Sequence, residues 1–357
     1  MYFKASFLII IFNIKPKPNL THEFKHIIHQ ARSNQEKGIK NVLATIVALE
    51  GSSYRKPGVR MLLSSDGKMV GAVSGGCVEK EVQRRAQSVF ESDVAKVMTY
   101  DGRYRLGCEG ILYILLEPFN VSGDFLNDFE LCLKNRDSFE IESSYLKEDD
   151  YVANIGSLIR FKNSEYTFSP TFNKSTFESH LTFNQKLQPC FRLLIIGGEH
   201  DAVKLCMSAS LLGWEVDVIT SEKDPKLISD FPGANSVVGI SPELAELTID
   251  NDTAVVLMNH NYVKDLKYLL KLEPLKPFYI GILGSAKRRE QLQNELFHYA
   301  PDLSEEFLDT IYSPAGLNIG AITPEEIAIS IISEILAETR KKTPVSLRTL
   351  TGKIHAK

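Results

Sequence analysis

The sequence lacks an excess of basic residues, an apolar segment long enough to cross a membrane, and any closely spaced pair of cysteines. Its 357 residues include 41 Lys and Arg against 45 Asp and Glu, which gives a formal net charge of −4. This balance leaves none of the basic surface typical of nucleic-acid binding, so nucleic acid is excluded as a partner. The apolar run at residues 5–12 is far shorter than the roughly 18–20 residues of a membrane-spanning helix. We therefore expect no membrane association and interpret residues 1–20 as an N-terminal extension.

The five cysteines are far apart in the sequence and form no Cys-x-x-Cys motif; they are Cys77, Cys108, Cys132, Cys190 and Cys206. An odd number at such spacing argues against a disulfide framework and against a zinc cage. A reducing, cytoplasmic environment is therefore expected. Charged residues at 24% and apolar residues at 43% are typical of a globular protein with ample material for two cores.

Apolar patterning divides the chain into two halves of different character. The first half alternates predicted helices and strands at residues 21–37, 42–49, 60–63, 69–73, 79–90, 95–100 and 111–116. Residues 120–190 are polar, with one predicted helix and several short strands. The second half opens with strand, glycine-rich turn, helix and strand, the beginning of a dinucleotide-type fold. The predicted class is therefore α/β, with an N-terminal α/β domain and polar linker at 21–185 and a Rossmann-like domain with a parallel sheet at 190–345.

One turn of the first half combines three small residues with a cysteine at the start of a predicted helix. It reads Ser74-Gly75-Gly76-Cys77, and Glu79 opens the helix. Small residues let a ligand approach the backbone, and the free N–H groups of a helix start attract anions. A cysteine there is expected to have a lowered pKa and to serve as a soft metal ligand or a nucleophile for sulfur chemistry. The alternative is a tight turn whose cysteine is a small buried apolar group.

In the second half, the residues that follow each strand are the candidates, because parallel α/β sheets bind ligands at the carboxyl ends of their strands. Strands are predicted at 192–196, 214–219, 254–258 and 278–283, and a closing helix at 324–339. Gly197-Gly198-Glu199-His200 follows the first strand. Glu199 stands at the third position of the dinucleotide-binding motif Gly-x-Gly-x-x-Gly, where the motif has glycine. Thr220 ends the second strand in place of the acid that hydrogen-bonds a ribose hydroxyl. These two changes argue against NAD(P) binding.

Three further segments have both a functional and a structural interpretation. His260 follows the strand at 254–258 and either contacts a ligand or caps the edge of the core. Gly284-Ser285 precedes basic residues that include Arg288, which is typical of an anion site but also of a capped, solvated helix end. The long apolar loop at 313–321 forms a site wall or a dimer contact.

Together these motifs resemble the XdhC/CoxI family, the accessory factors of xanthine dehydrogenase and related molybdenum hydroxylases. The resemblance covers residues 40 to 340. It rests on motifs at residues 44–47, 50–58, 71–79, 107–110, 117–118, 197–200, 260, 265, 279–285, 314–321 and 323–328. The family consists of an N-terminal α/β domain followed by a Rossmann-like domain, as predicted above.

The resemblance implies a carrier and not an ordinary enzyme. Such a protein binds the molybdenum cofactor (molybdopterin), protects it, aids its sulfuration with a cysteine desulfurase and delivers it to a molybdenum hydroxylase of the xanthine dehydrogenase type. We expect it to act as a homodimer. Cys77 and Cys108 match the family's cysteine loops and would hold sulfur, with Cys77 as the candidate molybdenum ligand. The cofactor-binding residues that follow from the resemblance are Ser74, Gly75, Gly76, Cys77, Glu79, Cys108, Gly197, Gly198, His200, His260, Gly284, Ser285 and Arg288.

Two other functions stay open at this point. An NAD(P)-dependent oxidoreductase would use the turn at Gly197, against the argument from Glu199 and Thr220. A redox-sensing scaffold would pair Cys77 with Cys108 in a disulfide.

Overall fold

A computed structural model describes residues 20–350 except 54, 77, 105–109, 151–153, 175–179, 260 and 302. Cys77, Cys108 and His260 therefore lie outside the described residues. The chain divides into two compact units, one within Asn19–Cys190 and one within Phe191–Lys357. In the described part of the chain, no helix has the length and apolarity that a membrane span requires.

The first unit is built around a five-stranded antiparallel sheet. Its described strands are β1 (Asn41–Glu50), β2 (Arg60–Ser64), β3 (Met69–Gly71), β4 (Lys96–Asp101) and β5 (Ile111–Pro118). They lie in the order β3-β2-β1-β5-β4. Both faces of β1 are buried in separate apolar clusters, with Leu43 in one and Val42 and Ala44 in the other. Burial on both faces explains why this strand reads as a continuous apolar run and not as an alternating one.

Three helices of this unit confirm the sequence predictions: α1 (Thr21–Glu36), α2 (Glu79–Ser92) and α3 (Gly123–Lys134). The polar segment that follows forms the strands β6 (Phe139–Tyr145), β7 (Gly156–Arg160), β8 (Glu165–Thr167) and β9 (Leu181–Leu187). These strands make a second antiparallel sheet in the order β8-β7-β6-β9. Aromatic rings of α1, α3 and this sheet pack together, with Phe24 and Phe129 at a centroid distance of 6.1 Å.

The second unit contains a six-stranded sheet that is parallel throughout. Its described strands are β10 (Arg192–Ile196), β11 (Glu215–Thr220), β12 (Ser236–Gly239), β13 (Thr253–Leu257), β14 (Ile280–Ile282) and β15 (Ile311–Tyr312). They lie in the order β12-β11-β10-β13-β14-β15. The strand order reverses between β10 and β13, and this reversal opens a crevice at the carboxyl ends of the two strands. The predicted α/β class, with a C-terminal parallel Rossmann sheet, is confirmed.

Helices cover both faces of this sheet. They are α4 (His200–Leu211), α5 (Tyr262–Leu272), α6 (Ala286–Tyr299), α7 (Glu305–Asp309) and α8 (Pro324–Arg340). Helices α4 and α8 pack with Leu193 and Ile195 on one face, and α5 and α6 pack with Leu194 and Ile196 on the other. The sequence did not predict β12 or β15, because both are short and no residue of either is buried.

Candidate functional site

The turn at Ser74–Gly76 is organised by the carboxylate of Glu79. One carboxylate oxygen accepts the backbone N–H of Ser74 at 2.7 Å, and the other accepts the Ser74 hydroxyl at 2.6 Å and the N–H of Gly76 at 2.9 Å. Burial raises the pKa of Glu79, but these hydrogen bonds outweigh it and hold the pKa below its usual value. The carboxylate of Glu79 thus binds the backbone amides of this turn, where the sequence predicts an anionic ligand.

The two glycines of this turn leave its outer side open. A Cβ atom at Gly75 or Gly76 would meet no heavy atom within 4 Å. Gly76 also has a φ of +113°, which a residue with a side chain adopts only under strain. Glu79 holds the backbone N–H groups of Ser74 and Gly76, so the two described residues at the ends of this glycine turn are fixed in position.

The thiols of two other cysteines are unsuited to ligand chemistry. Cys132 and Cys206 are unbridged and buried, and burial raises the pKa of each to about 11. A thiol of that pKa carries almost no thiolate at neutral pH. Among the described residues, no group of three or more His, Cys, Asp or Glu side chains could hold a metal ion. Metal ligation by Cys77 stays a prediction.

A cleft of about 610 Å³ lies in the second unit, where the strand order reverses. Its lining residues come from the ends of β10, β11 and β13 and from the start of α5: Gly198, Glu199, Ser221, Lys223, Asp224, Lys226, Met258, Asn259, Asn261, Tyr262 and Lys264. The volume is within the range of small-molecule sites. The position is where parallel α/β folds bind their ligands.

Glycines let the backbone of β10 and β13 approach closely at the base of this cleft. A Cβ atom at Gly197 would lie 2.7 Å from the carbonyl oxygen of Met258, so no larger residue fits there. Gly198 lines the cleft itself, and a Cβ atom there would be in ordinary contact with Thr220 and Lys226 at 3.5 Å. Gly197 is thus required by the packing of the strands, whereas Gly198 presents backbone to the cleft.

The charges of the cleft are unevenly placed. Glu199 is the residue before α4, and Asp201 lies in the first turn of that helix. Lysines follow β11, and among them Lys226 pairs with Asp224 at 2.6 Å. Lys264 of α5 donates to the Ser221 hydroxyl at 2.9 Å and pairs with Glu222 at 3.1 Å. These lysines were not among the residues predicted from the sequence, although Lys223 and Lys226 closely follow the strand that ends at Thr220.

Arg288, predicted to contact the cofactor, is partly buried and engaged by other residues of the protein. Its guanidinium donates to a carboxylate oxygen of Asp265 and to the carbonyl oxygen of Asn259 at 2.8 Å. The amide of Asn259 donates to the other Asp265 oxygen at 3.0 Å, and Asp265 is fully buried. These three residues form a clamp that fixes the backbone next to the position of His260. A direct contact of Arg288 with the cofactor stays a prediction.

The Gly284-Ser285 segment forms the start of α6. The Ser285 hydroxyl accepts the backbone N–H of Arg288 at 3.3 Å as the helix cap. A Cβ atom at Gly284 would lie 2.6 Å from Cδ of Arg288, so the glycine lets the arginine pass across it toward Asp265. His200, in contrast, lies exposed at the start of α4.

The loop at 313–321 is attached to α8. The N–H of Gly316 donates to the carboxylate of Glu334 at 2.8 Å, and the Ser330 hydroxyl donates to the carbonyl of Leu317 at 2.6 Å. Ile319 in the loop and Ile322 directly after it are 55% and 84% exposed. The loop is therefore a fixed surface with apolar side chains outward.

Comparison with known proteins gives a consistent result for both units. Residues 193–335 match the model of the XdhC Rossmann domain, and residues 35–101 match that of the XdhC and CoxI family. The chain is 32% identical over 329 residues to a Bacillus subtilis (strain 168) protein described as a probable xanthine dehydrogenase subunit, and the match covers 85% of this chain and 94% of that protein. It is 25% identical over 316 residues to the molybdenum cofactor insertion chaperone PaoD of Escherichia coli (strain K12), covering 88% and 89% of the two chains.

A solved structure shows the same fold. The crystal structure of a xanthine dehydrogenase from Bacillus halodurans superimposes with a TM-score of 0.69 at 28% identity, and the match covers 89% of this chain and 96% of that one. The likeness thus extends over both units and not over the parallel sheet alone. Because a relative above 30% identity is matched over nearly its whole length and both family models fit, the chain belongs to the XdhC and CoxI family.

Proposed function

We propose that this protein carries the molybdenum cofactor to a molybdenum hydroxylase of the xanthine dehydrogenase type. The observation that supports this most directly is the match over 88% of the chain to an insertion chaperone for that cofactor. In this function the protein acts as a homodimer that binds the cofactor as cargo and shields it. It aids sulfuration of the cofactor together with a cysteine desulfurase and then releases the cofactor to the molybdenum hydroxylase.

The geometry of the first unit suits a sulfur ligand. Glu79 holds the backbone of Ser74 and Gly76 by hydrogen bonds of 2.6–2.9 Å, and the glycines leave the outer side of the turn open. Glycines without a Cβ leave room for a ligand to approach the backbone of this turn. We therefore assign the principal molybdenum contact to Cys77, with Cys108 as the second thiol.

The cleft of the second unit suits the organic part of the cofactor. It has the volume for a small heterocyclic phosphate, and lysines supply positive charge. The carboxylate of Glu199 lies at the position where a nicotinamide dinucleotide needs a glycine beside its pyrophosphate. This supports a carrier over an NAD(P)-dependent oxidoreductase.

The test is the molybdenum and pterin content of protein purified without oxygen from a host that makes the cofactor. The wild-type chain is expected to hold both in near-stoichiometric amounts, and Cys77→Ala to lose most of the molybdenum. Cys132→Ala is the matched control, because that thiol is buried with a pKa of about 11. Folded wild-type protein without molybdenum or pterin would overturn the function, and unchanged content in both Cys77→Ala and Cys108→Ala would overturn the assigned ligands.

A further inference from the structure

Glu199 presents to the cleft a carboxylate that accepts no hydrogen bond from the described part of the protein. It is the N-cap residue of α4, yet its side chain accepts no hydrogen bond from the amides of that helix in the described structure. It lines the cleft together with Gly198. Both carboxylate oxygens therefore have lone pairs available for hydrogen-bond donors of a ligand.

The same carboxylate makes the start of α4 unfavourable for a phosphate. Helix N-termini ordinarily attract anions, but Glu199 and Asp201 place two negative charges at this one. A ligand phosphate would be repelled there. The ligand group that suits this end of the cleft is a donor of hydrogen bonds.

Positive charge in the cleft comes instead from the segment after β11 and from Lys264 of α5, which is paired with Glu222 at 3.1 Å. Lys223 and Lys226 line the cleft beside Ser221, and Lys223 has no ion-pair partner among the described residues. Lys226 is paired with Asp224, whose side chain is 70% exposed, and its charge also interacts with that of Glu199. An exposed pair of this kind contributes little to stability and rearranges readily around a ligand phosphate.

A pterin phosphate has the matching arrangement of groups. The pyrimidine ring of a pterin carries adjacent N3–H and 2-amino donors, which fit the two oxygens of one carboxylate as a charge-assisted pair. Met258 and Tyr262 supply apolar and aromatic lining for a flat ring. A phosphate on the ring's side chain suits the lysines.

We propose that Glu199 determines ligand specificity by accepting the N3–H and 2-amino hydrogens of a pterin, while Lys223 and Lys226 bind its phosphate. This inference rests on the proposed function and specifies which residues recognise the pterin and its phosphate. It also gives a reason for a carboxylate at a position where the nucleotide fingerprint has glycine.

Two fluorescent probes test the proposal on the full-length protein: 6-hydroxymethylpterin phosphate and its lumazine analogue, in which an oxygen replaces the 2-amino group. The 2-oxygen of the lumazine and the carboxylate of Glu199 are both hydrogen-bond acceptors and repel each other. The wild-type chain should therefore bind the pterin at least tenfold more tightly than the lumazine. In Glu199→Gln the amide donates to that oxygen and accepts from N3–H, so the preference should reverse in favour of the lumazine. Glu246→Gln, an exposed acid outside the cleft, is the matched control.

The phosphate half of the proposal has its own variants. Lys223→Ala and Lys226→Ala should weaken both probes by the same factor and make binding less dependent on salt, because the lost contact is shared by both ligands. An unchanged pterin-to-lumazine ratio in Glu199→Gln would overturn the role of Glu199, and unchanged affinity in both lysine variants would overturn the phosphate site. Absence of binding of either probe to the wild type would overturn the inference as a whole, while the cofactor content of the purified protein still decides the carrier function separately.

Discussion

The buried carboxyl group of Glu117 makes the stability of the first unit depend on pH. Glu117 lies in β5 and is fully buried, with its two oxygens accepting the N–H and the hydroxyl of Ser157 at 2.7 and 2.6 Å. Burial raises its pKa from 4.5 to about 7, although the Ser157 hydrogen bonds and the charge of Arg60 act in the opposite direction. The folded protein therefore holds a proton on Glu117 at pH values where the unfolded chain has lost it.

The sign of the effect follows from proton linkage. Below pH 4.5 both states are protonated at this site and the group causes no pH dependence. Between pH 4.5 and about 7 only the folded state keeps the proton, so the free energy of unfolding falls as the pH rises, and it levels off above pH 7. At about 1.4 kcal/mol for each pH unit of difference between the two pKa values, the total loss is about 3 kcal/mol.

Urea denaturation followed by far-UV circular dichroism measures this loss at a series of pH values from 4.5 to 8. Glu117→Gln removes the titrating proton at nearly the same shape, so the difference in unfolding free energy between wild type and variant should change by about 3 kcal/mol across this range. The comparison cancels all other titrating groups. Parallel pH profiles for the two proteins would refute the raised pKa of Glu117.

Other predictions concern the turn and the clamp. Gly75→Ala should change the free energy of unfolding by no more than about 0.5 kcal/mol, like the control Gly123→Ala, because a Cβ atom at either position meets nothing within 4 Å. The cofactor content of Gly75→Ala should nevertheless fall, because the proposed ligand approaches the backbone at this glycine. Gly76→Ala should lower the free energy of unfolding by about 1–2 kcal/mol, because a side chain is strained at the φ of +113° that Gly76 adopts. Asp265→Ala should destabilise the second unit by about 3–5 kcal/mol in thermal or urea denaturation, since Arg288 then loses its buried partner; a loss below about 1 kcal/mol would contradict the clamp.

The regular elements could be predicted because their local patterns agree with their final burial. The apolar residues of α1 that recur at helical spacing, Phe24, Ile27, Ile28 and Ala31, are all buried in the structure. The strand β10 reads as apolar from Leu193 to Ile196 because helices cover both of its faces. The edge strand β12 has no comparable run of buried apolar residues. It forms because it pairs with β11, and that pairing cannot be predicted from the sequence of β12 alone.

The site was less predictable, because its contacts join residues far apart in sequence. Glycine spacing located the turn at Gly197 correctly, yet it could not show that this glycine serves the approach of Met258. Basic residues after Ser285 suggested an anion site, and only the fold brings Asp265 within reach of Arg288. A charge pattern identifies a basic residue, but its partner is set by tertiary packing.

Internal carboxylates lie at several positions where a nucleotide-type fold binds the phosphates of its ligand. Glu79 binds the amides of the Ser74 turn, and Asp265 binds the guanidinium of Arg288, so two of the anion-binding positions expected from the sequence are engaged within the protein. Glu199 adds negative charge at a third. The cationic groups that line the cleft are Lys264 of α5 and two lysines after β11, the strand whose last residue in nucleotide-binding folds is the ribose-binding acid. The scaffold therefore keeps the crevice of a nucleotide-binding fold, while its charges are arranged differently from those of the dinucleotide fingerprint.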